Sequence, residues 1–391
     1  MNSKLTRREM LTSTAAATAL ATFGIPRPAL AAPQAKVHST QVISPDPKLY
    51  CGWPTVARRK NGQLMVSWSG GREAHVCPFG RVELMMSDDE AKTWSPTKVV
   101  RDGPIDDRDS GCVETDKGTL LVTTFTSLAY VPGLKKAEAI EPGQPGAWAP
   151  DRLKRWKDVH YALSDEQRQQ ELGVWMLRST DGGQTFSKPY DCLVNSPHGP
   201  IQLSDGHQLY AGKDLWRGGW VGVCESRDDG QTWKRLAEIP TREGDQQQNY
   251  HELHAIECPS GRIIAQIRNH NKQNSGETLQ TESEDHGTTW TVPHSIGVWG
   301  LPSHLMRLAD GRILMTYGHR RPPYGNQARV SEDEGRTWSE AMIISGDGTG
   351  GDLGYPSTVQ LGDGSLLSVW YEKLKTSPQA VLRQARWTLE D

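Results

Sequence analysis

The sequence predicts an all-β chain folded as a six-bladed β-propeller, and two interleaved repeats predict it. One is an octad: SDDEAKTW from Ser87, STDGGQTF from Ser179, SRDDGQTW from Ser226, SEDHGTTW from Ser283 and SEDEGRTW from Ser331. The other is a hairpin, two apolar runs around a short turn ending in glycine, centred on Gly62, Gly118, Gly206, Gly261, Gly311 and Gly364. After a first gap of double length the octads recur every 47 to 57 residues, the range of propeller blades.

The octad is built for a tight turn. Its Ser and Asp side chains can bond backbone N–H groups, its Gly supplies positive φ, and its closing aromatic packs between neighbouring strands. The hairpin flanks, such as VARRKNGQLMVSW and TVQLGDGSLLSVW, carry the aliphatic and β-branched residues of strands. Six hairpins give six blades. The sixth has no octad, so a strand from the N-terminal segment, Val37 to Ile43, is expected to close it. An insert at 127–173 in the second blade is rich in Pro and Gly, then helix-like around Pro150 to Leu172; it is either a surface excursion or a rim of the pocket.

Ahead of the propeller, Arg7 and Arg8 precede an apolar, small-residue stretch from Met10 to Phe23 and then Ala29-Leu30-Ala31. That pattern predicts a twin-arginine export signal over residues 1–31, a propeller over 32–391 and a periplasmic or secreted protein. No other run approaches membrane-spanning length. The formal charge is −3 with no basic stripe, which argues against a nucleic-acid partner. The six cysteines are scattered singly and read mostly as small buried apolar residues.

In each hairpin the residue about nine before the Gly and those seven to ten after it emerge at one end of the blade, facing one pocket. They are Trp53 with Arg72 and His75, Asp109 with Phe125, His198 with Lys213 and Asp214, Glu252 and His254 with Arg268 and Asn269, His304 with Arg320 and Arg321, and Tyr355 with Tyr371 and Glu372. The octads belong at the opposite edge. Guanidiniums on adjacent blades form planar forks that suit a carboxylate, so the expected ligand is an acidic oligosaccharide or polysaccharide. A Tyr is a poor nucleophile at neutral pH unless a neighbour such as Glu252 takes its proton.

Three stretches resemble the sialidase (neuraminidase) superfamily, whose Asp-box (BNR) repeats the octads match. ELHAIECPSGRIIAQIRN resembles the hairpin that supplies a Glu and an Arg, here Glu252 and Arg268; YPSTVQLGDGSLLSVWYE resembles the last hairpin, which opens with the catalytic Tyr, here Tyr355. Arg320 or Arg321 stands where the family has another substrate arginine. The resemblance fails in the first blade. Gly52-Trp53-Pro54 occupies the place of the family's first arginine, and the loop SGGREAHVCPFGRVEL has no Asp where the family has its acid/base. Arg72 is then a candidate replacement for the arginine, and His75 or Glu73 for the acid.

The resemblance implies either hydrolysis by a Tyr–Glu pair or, as in sialidase-fold lyases that release rhamnose from glucuronate, β-elimination on a uronate. The missing first-blade groups tilt the reading towards elimination; a non-catalytic glycan-binding propeller is a third reading. The site set is His75, Glu252 and Tyr355 as catalytic groups. Arg72, His198, Lys213, Arg268, Asn269, Arg320, Arg321 and Tyr371 are expected to bind substrate. No cofactor is expected. The histidines lack helical metal-site spacing, and a metal is not part of the reading.

Overall fold

The computed structural model describes residues 33–390, so the expected export segment lies outside the described residues. Six antiparallel sheets stand as blades, five of four strands and one, the second, of five with its inner strand in two pieces. Blade 1 runs outward through Tyr50–Arg58, Leu64–Arg72, Arg81–Ser87 and Lys98–Arg101. Blades 4 and 5 repeat that order from Tyr250–Glu257 and Ser303–Arg307. Blade 6 runs Leu353–Gln360, Leu366–Lys373, Ala380–Glu390, and the N-terminal strand Gln34–Val42 pairs on as its outermost member. The expected closure forms.

Local chemistry explains the register. The six hairpin glycines all sit at φ between +81° and +92°, a region L side chains adopt only at a cost. Each octad folds onto its own polar groups: Asp285 Oδ1 accepts from Ser283 Oγ at 2.8 Å and from Thr289 N–H at 2.8 Å, and the other four octads repeat the pattern. The apolar cores lie between blades. Val56 and Val66 of blade 1 pack in one cluster with Leu367, Val369 and Leu382 of blade 6. All six cysteines are buried and free.

Strand direction sets the two faces. Inner strands start at the pocket end and finish at the octad end, as Tyr50 and Arg58 mark in blade 1. Blade 3 departs from the pattern, with an inner strand of only Ile201–Gln202. The insert forms three helices, Val131–Glu138, Pro150–His160 and Asp165–Gln170. The first was not expected; it begins at a proline in its first turn, a position that needs no N–H partner. Tyr130, Leu134 and Trp156 of the insert bury Cys77 of the first-blade loop. Arg155 and the Trp156 indole grip Glu73 at 2.8 and 2.9 Å. The insert is thus a brace on the loop that carries His75, and Glu73 is spent on it rather than offered to the pocket.

Candidate active site

Four inner strands break at the pocket end in the same way. Trp53, Asp109, Glu252 and Tyr355 have φ of 55°, 52°, 43° and 53°, a left-handed conformation that costs about 1–3 kcal/mol for such residues. The pairing register slips across Gly52/Thr55, His251/Leu253 and Gly354/Ser357, and the inner strand of blade 2 splits into Asp106–Arg108 and Cys112–Glu114. Each break turns one side chain out of the strand's alternation into the centre. Pro54 and Pro356 follow two of the strained residues and lack the N–H that a bulge leaves unpaired.

Three of these elements meet. The Tyr355 hydroxyl donates to Glu252 Oε1 at 2.5 Å, while Arg268 Nη1 donates to Glu252 Oε2 at 2.5 Å and to the Tyr355 oxygen at 3.0 Å. Burial works against the Glu252 charge, but Arg268 and the Tyr355 hydrogen bond outweigh it and hold the carboxyl below its usual range. Burial, reinforced by the Glu252 charge, pushes the Tyr355 phenol well above its ordinary value. The proton therefore rests on the tyrosine, beside a carboxylate placed to take it. The Arg320 guanidinium lies 5.5 Å from the Tyr355 ring centroid, and its buried Nε has no partner among the described residues.

The first-blade side is built differently from the expectation. Arg72 is fully buried and bidentate to Asp106 at 2.7 and 2.9 Å, so it supports the fold and cannot reach a ligand. The guanidinium that does face the centre is Arg108, 4.5 Å above the Trp53 ring. His75 joins a second cluster: its Nδ1 is 3.0 Å from Asp352 Oδ1, and Tyr50 and Tyr371 donate to the same carboxylate at 3.0 and 3.1 Å. Burial opposes the Asp352 charge, yet the bonds from His75 and Tyr50 keep it below its ordinary value. Tyr371 thus acts on Asp352. His75 Nε2 faces Arg108 Nη2 at 3.4 Å.

Asp109 is the group the sequence placed but gave no role. Its carboxyl makes no hydrogen bond among the described residues, and the residue is 6% exposed. Burial, then the nearby Glu252 charge, push it up to about 7. Two carboxyls in one centre are driven apart, Glu252 towards a base and Asp109 towards an acid.

Other expected binders land elsewhere. Asn269 is buried and spends its amide on Gln273 and Asn274 carbonyls, bracing its own loop. Arg321 stacks on Trp299 at 4.1 Å and bonds His319, away from the Tyr355 centre. Lys213 donates to the Gln248 carbonyl. His198 lies down the central channel with His254 and His304. There the Nδ1 atoms of His254 and His304 accept backbone N–H groups of Leu305 and Thr358, which places the neutral ring proton on Nε2 and works against a metal there. Among the described residues no group of His, Cys, Asp or Glu is arranged to hold a metal ion.

A six-bladed ring with Asp-box turns at one face and a Tyr–Glu–Arg centre at the other defines a sialidase-superfamily propeller. The chain belongs to the BNR repeat-like domain family, which matches residues 62–367. A sialidase of Clostridium perfringens is 23% identical over 269 residues, 68% of this chain and 55% of its own length. A sialidase of Bacteroides fragilis (strain YCH46) is 23% identical over 322 residues, 74% of this chain and 54% of its own length. The chain spans about half the length of these relatives. Among solved structures, a protein of unknown function from Dyadobacter fermentans superposes with a TM-score of 0.71 at 22% identity, over 91% of this chain and 99% of that one. The intramolecular trans-sialidase of Ruminococcus gnavus gives 0.64 at 14%, over 89% and 97%. At these identities the structural likeness bears on fold alone.

Proposed function

We propose that the chain hydrolyses the bond beside a terminal carboxylate-bearing sugar of a glycan, with a sialic acid as the first candidate. The observation that carries this reading is the Tyr355–Glu252 contact of 2.5 Å under Arg268. As the Tyr355 oxygen bonds to the anomeric carbon, Glu252 takes the phenol proton and the leaving oxygen takes a proton from an acid. Water then enters, the acid acts as base, and Glu252 returns its proton to the tyrosine. Arg268, Arg320 and Arg108 supply the forks for the carboxylate. Relatives that are sialidases support the substrate class.

Asp109 is the better acid than His75. His75 lies with Nδ1 against Asp352 and Nε2 against a guanidinium, whereas Asp109 is held up to about 7 and makes no hydrogen bond among the described residues. The His75–Asp352 pair favours a second reading, uronate elimination, because a carboxylate-backed imidazole suits removal of the proton α to a clamped carboxylate. The Arg7-Arg8 segment supports action outside the cytoplasm, in the periplasm or medium. Incubation with a sialyl-oligosaccharide and with rhamnosyl-glucuronate decides between the readings. Free sialic acid supports hydrolysis, the ultraviolet absorbance of an unsaturated uronate supports elimination, and binding without turnover leaves a glycan-binding propeller.

A further inference from the structure

A cavity that carries unassigned chemistry lies on the octad face. There the central channel opens as a space of about 610 Å³, lined by the far halves of the inner strands. Its lining includes His198, His254 and His304, from three successive blades, whose ring centroids are 4.6 to 5.3 Å apart. Each ring is nine-tenths or more buried.

Two of these rings are held in one tautomer. His254 Nδ1 accepts the Leu305 N–H at 2.9 Å and His304 Nδ1 accepts the Thr358 N–H at 3.4 Å, each from the next blade. Their Nε2 atoms are then donors, and the buried His198 Nε2 beside them has no partner among the described residues. Burial drives all three well below the ordinary histidine range, so His254 and His304 offer N–H groups without charge. Tying adjacent inner strands together accounts for the Nδ1 bonds. It does not account for the unpartnered His198 Nε2 at the floor of a cavity.

Positive charge predominates at the mouth. Arg58 and Arg307 line the opening, are exposed, and have no carboxylate partner among the described residues. Arg59 and Lys60 are there as well, paired with Glu114 and Asp116. The one carboxylate in the lining, Glu257, is turned to the Ser204 N–H and hydroxyl at 2.6 and 2.8 Å. A cationic rim over a floor of N–H donors draws in and holds an oxyanion.

We propose that this channel is a second ligand site, separate from the Tyr355 centre, that takes a small oxyanion, a phosphate or a carboxylate, with His254 and His304 as donors and Arg58 and Arg307 as the rim. The two sources share one chemistry. Titration calorimetry of the full chain with inorganic phosphate and, separately, with acetate tells them apart.

The expected result is saturable binding of one probe, weakened about 10-fold or more when both exposed arginines are removed, Arg58→Ala with Arg307→Ala. Those residues lie outside the core, so the variant keeps its fold. His304→Leu should weaken binding as well, and where that variant unfolds the arginine pair still decides. Arg268→Ala, at the other end of the channel, should leave the affinity within about twofold. No binding of either probe at millimolar concentration overturns the proposal. So does unchanged affinity in the double arginine variant, or loss in Arg268→Ala, which would place the anion at the Tyr355 centre.

Discussion

The two ends of the same inner hairpins obey different rules. On the octad face five turns are near copies: the same serine-to-aspartate bond of 2.8 Å recurs in all five. Where the first octad has Ala91 instead of glycine, the backbone still takes φ of 64°. On the pocket face the backbone also repeats, with a left-handed residue at the same place in four blades, but the side chains there are Trp53, Asp109, Glu252 and Tyr355, no two alike. Identical residues in identical turns hold the ring; different residues on identical strained bulges provide chemistry. Strain placed where side chains differ points to function.

That contrast breaks if pocket residues prove structural, and the largest expected effect is at Tyr355. Tyr355→Phe should cut turnover on the active substrate by on the order of 10³ to 10⁶, with a small change in melting temperature. A large thermal loss with turnover retained would put Tyr355 with the octads.

Asp109→Asn should cost on the order of 10² to 10⁴ on a substrate with a poor leaving group and far less on an aryl glycoside. It should also abolish the alkaline limb of the rate profile, expected near pH 7 because Asp109 is held up to about 7. Stability runs in the same direction with pH. A carboxyl raised from about 3.9 favours folding while protonated, and that contribution is lost as pH rises through 7. Thermal scans at pH 5 and 8.5 should therefore show the asparagine variant gaining on the wild type at the higher pH. An equal difference at both pH values would contradict a buried, shifted carboxyl.

Arg268→Ala should weaken binding of a sialoside by roughly 10- to 150-fold, the loss of one charge-assisted interaction of about 1.5–3 kcal/mol. Because Glu252 then loses its cation, melting should fall too, and Arg268→Lys should recover more stability than affinity. The smallest effect belongs to the octads. Asp228→Ala should cost about 1 kcal/mol, by analogy with a lost cap, and leave kcat/KM unchanged. Altered kcat/KM would mean that the two faces are coupled.

The ring and the Tyr–Glu–Arg centre were legible because both follow from counting along the chain. Hairpin glycines fix the blade number, and the residue nine positions before the glycine is the strained one in blades 1, 2, 4 and 6. His254 and His304 stand seven before and His198 eight, so they fall down the channel rather than in the pocket. Applied strictly, the count would have sorted them, and it would have raised Asp109 to equal rank. Arg108 and Arg72 could not be told apart by counting, since the choice depends on Asp106 of the next blade capturing one of them. Nor could the partner of His75 be read, because Asp352 is 277 residues away and on another blade.

The strand that completes the sixth blade joins the beginning of the propeller to its end: His38 meets Thr388, 350 positions later. Five blades can assemble from neighbouring hairpins, but this one waits for the strand Ala380–Glu390. Closing so long a loop costs little at equilibrium, since each doubling of length adds only about 0.6 kcal/mol. In time it costs more, because distant pairings come late. Until then the Ala380–Glu390 strand has a bare edge that invites pairing with another molecule. A circular permutant carrying Gln34–Val42 after Glu390 through a short Asn-Gly-type turn would make the slowest pairing a local hairpin. It should refold faster and aggregate less than the natural order, with the same final melting temperature. The ring is thus a lock whose first-made part is its last to engage.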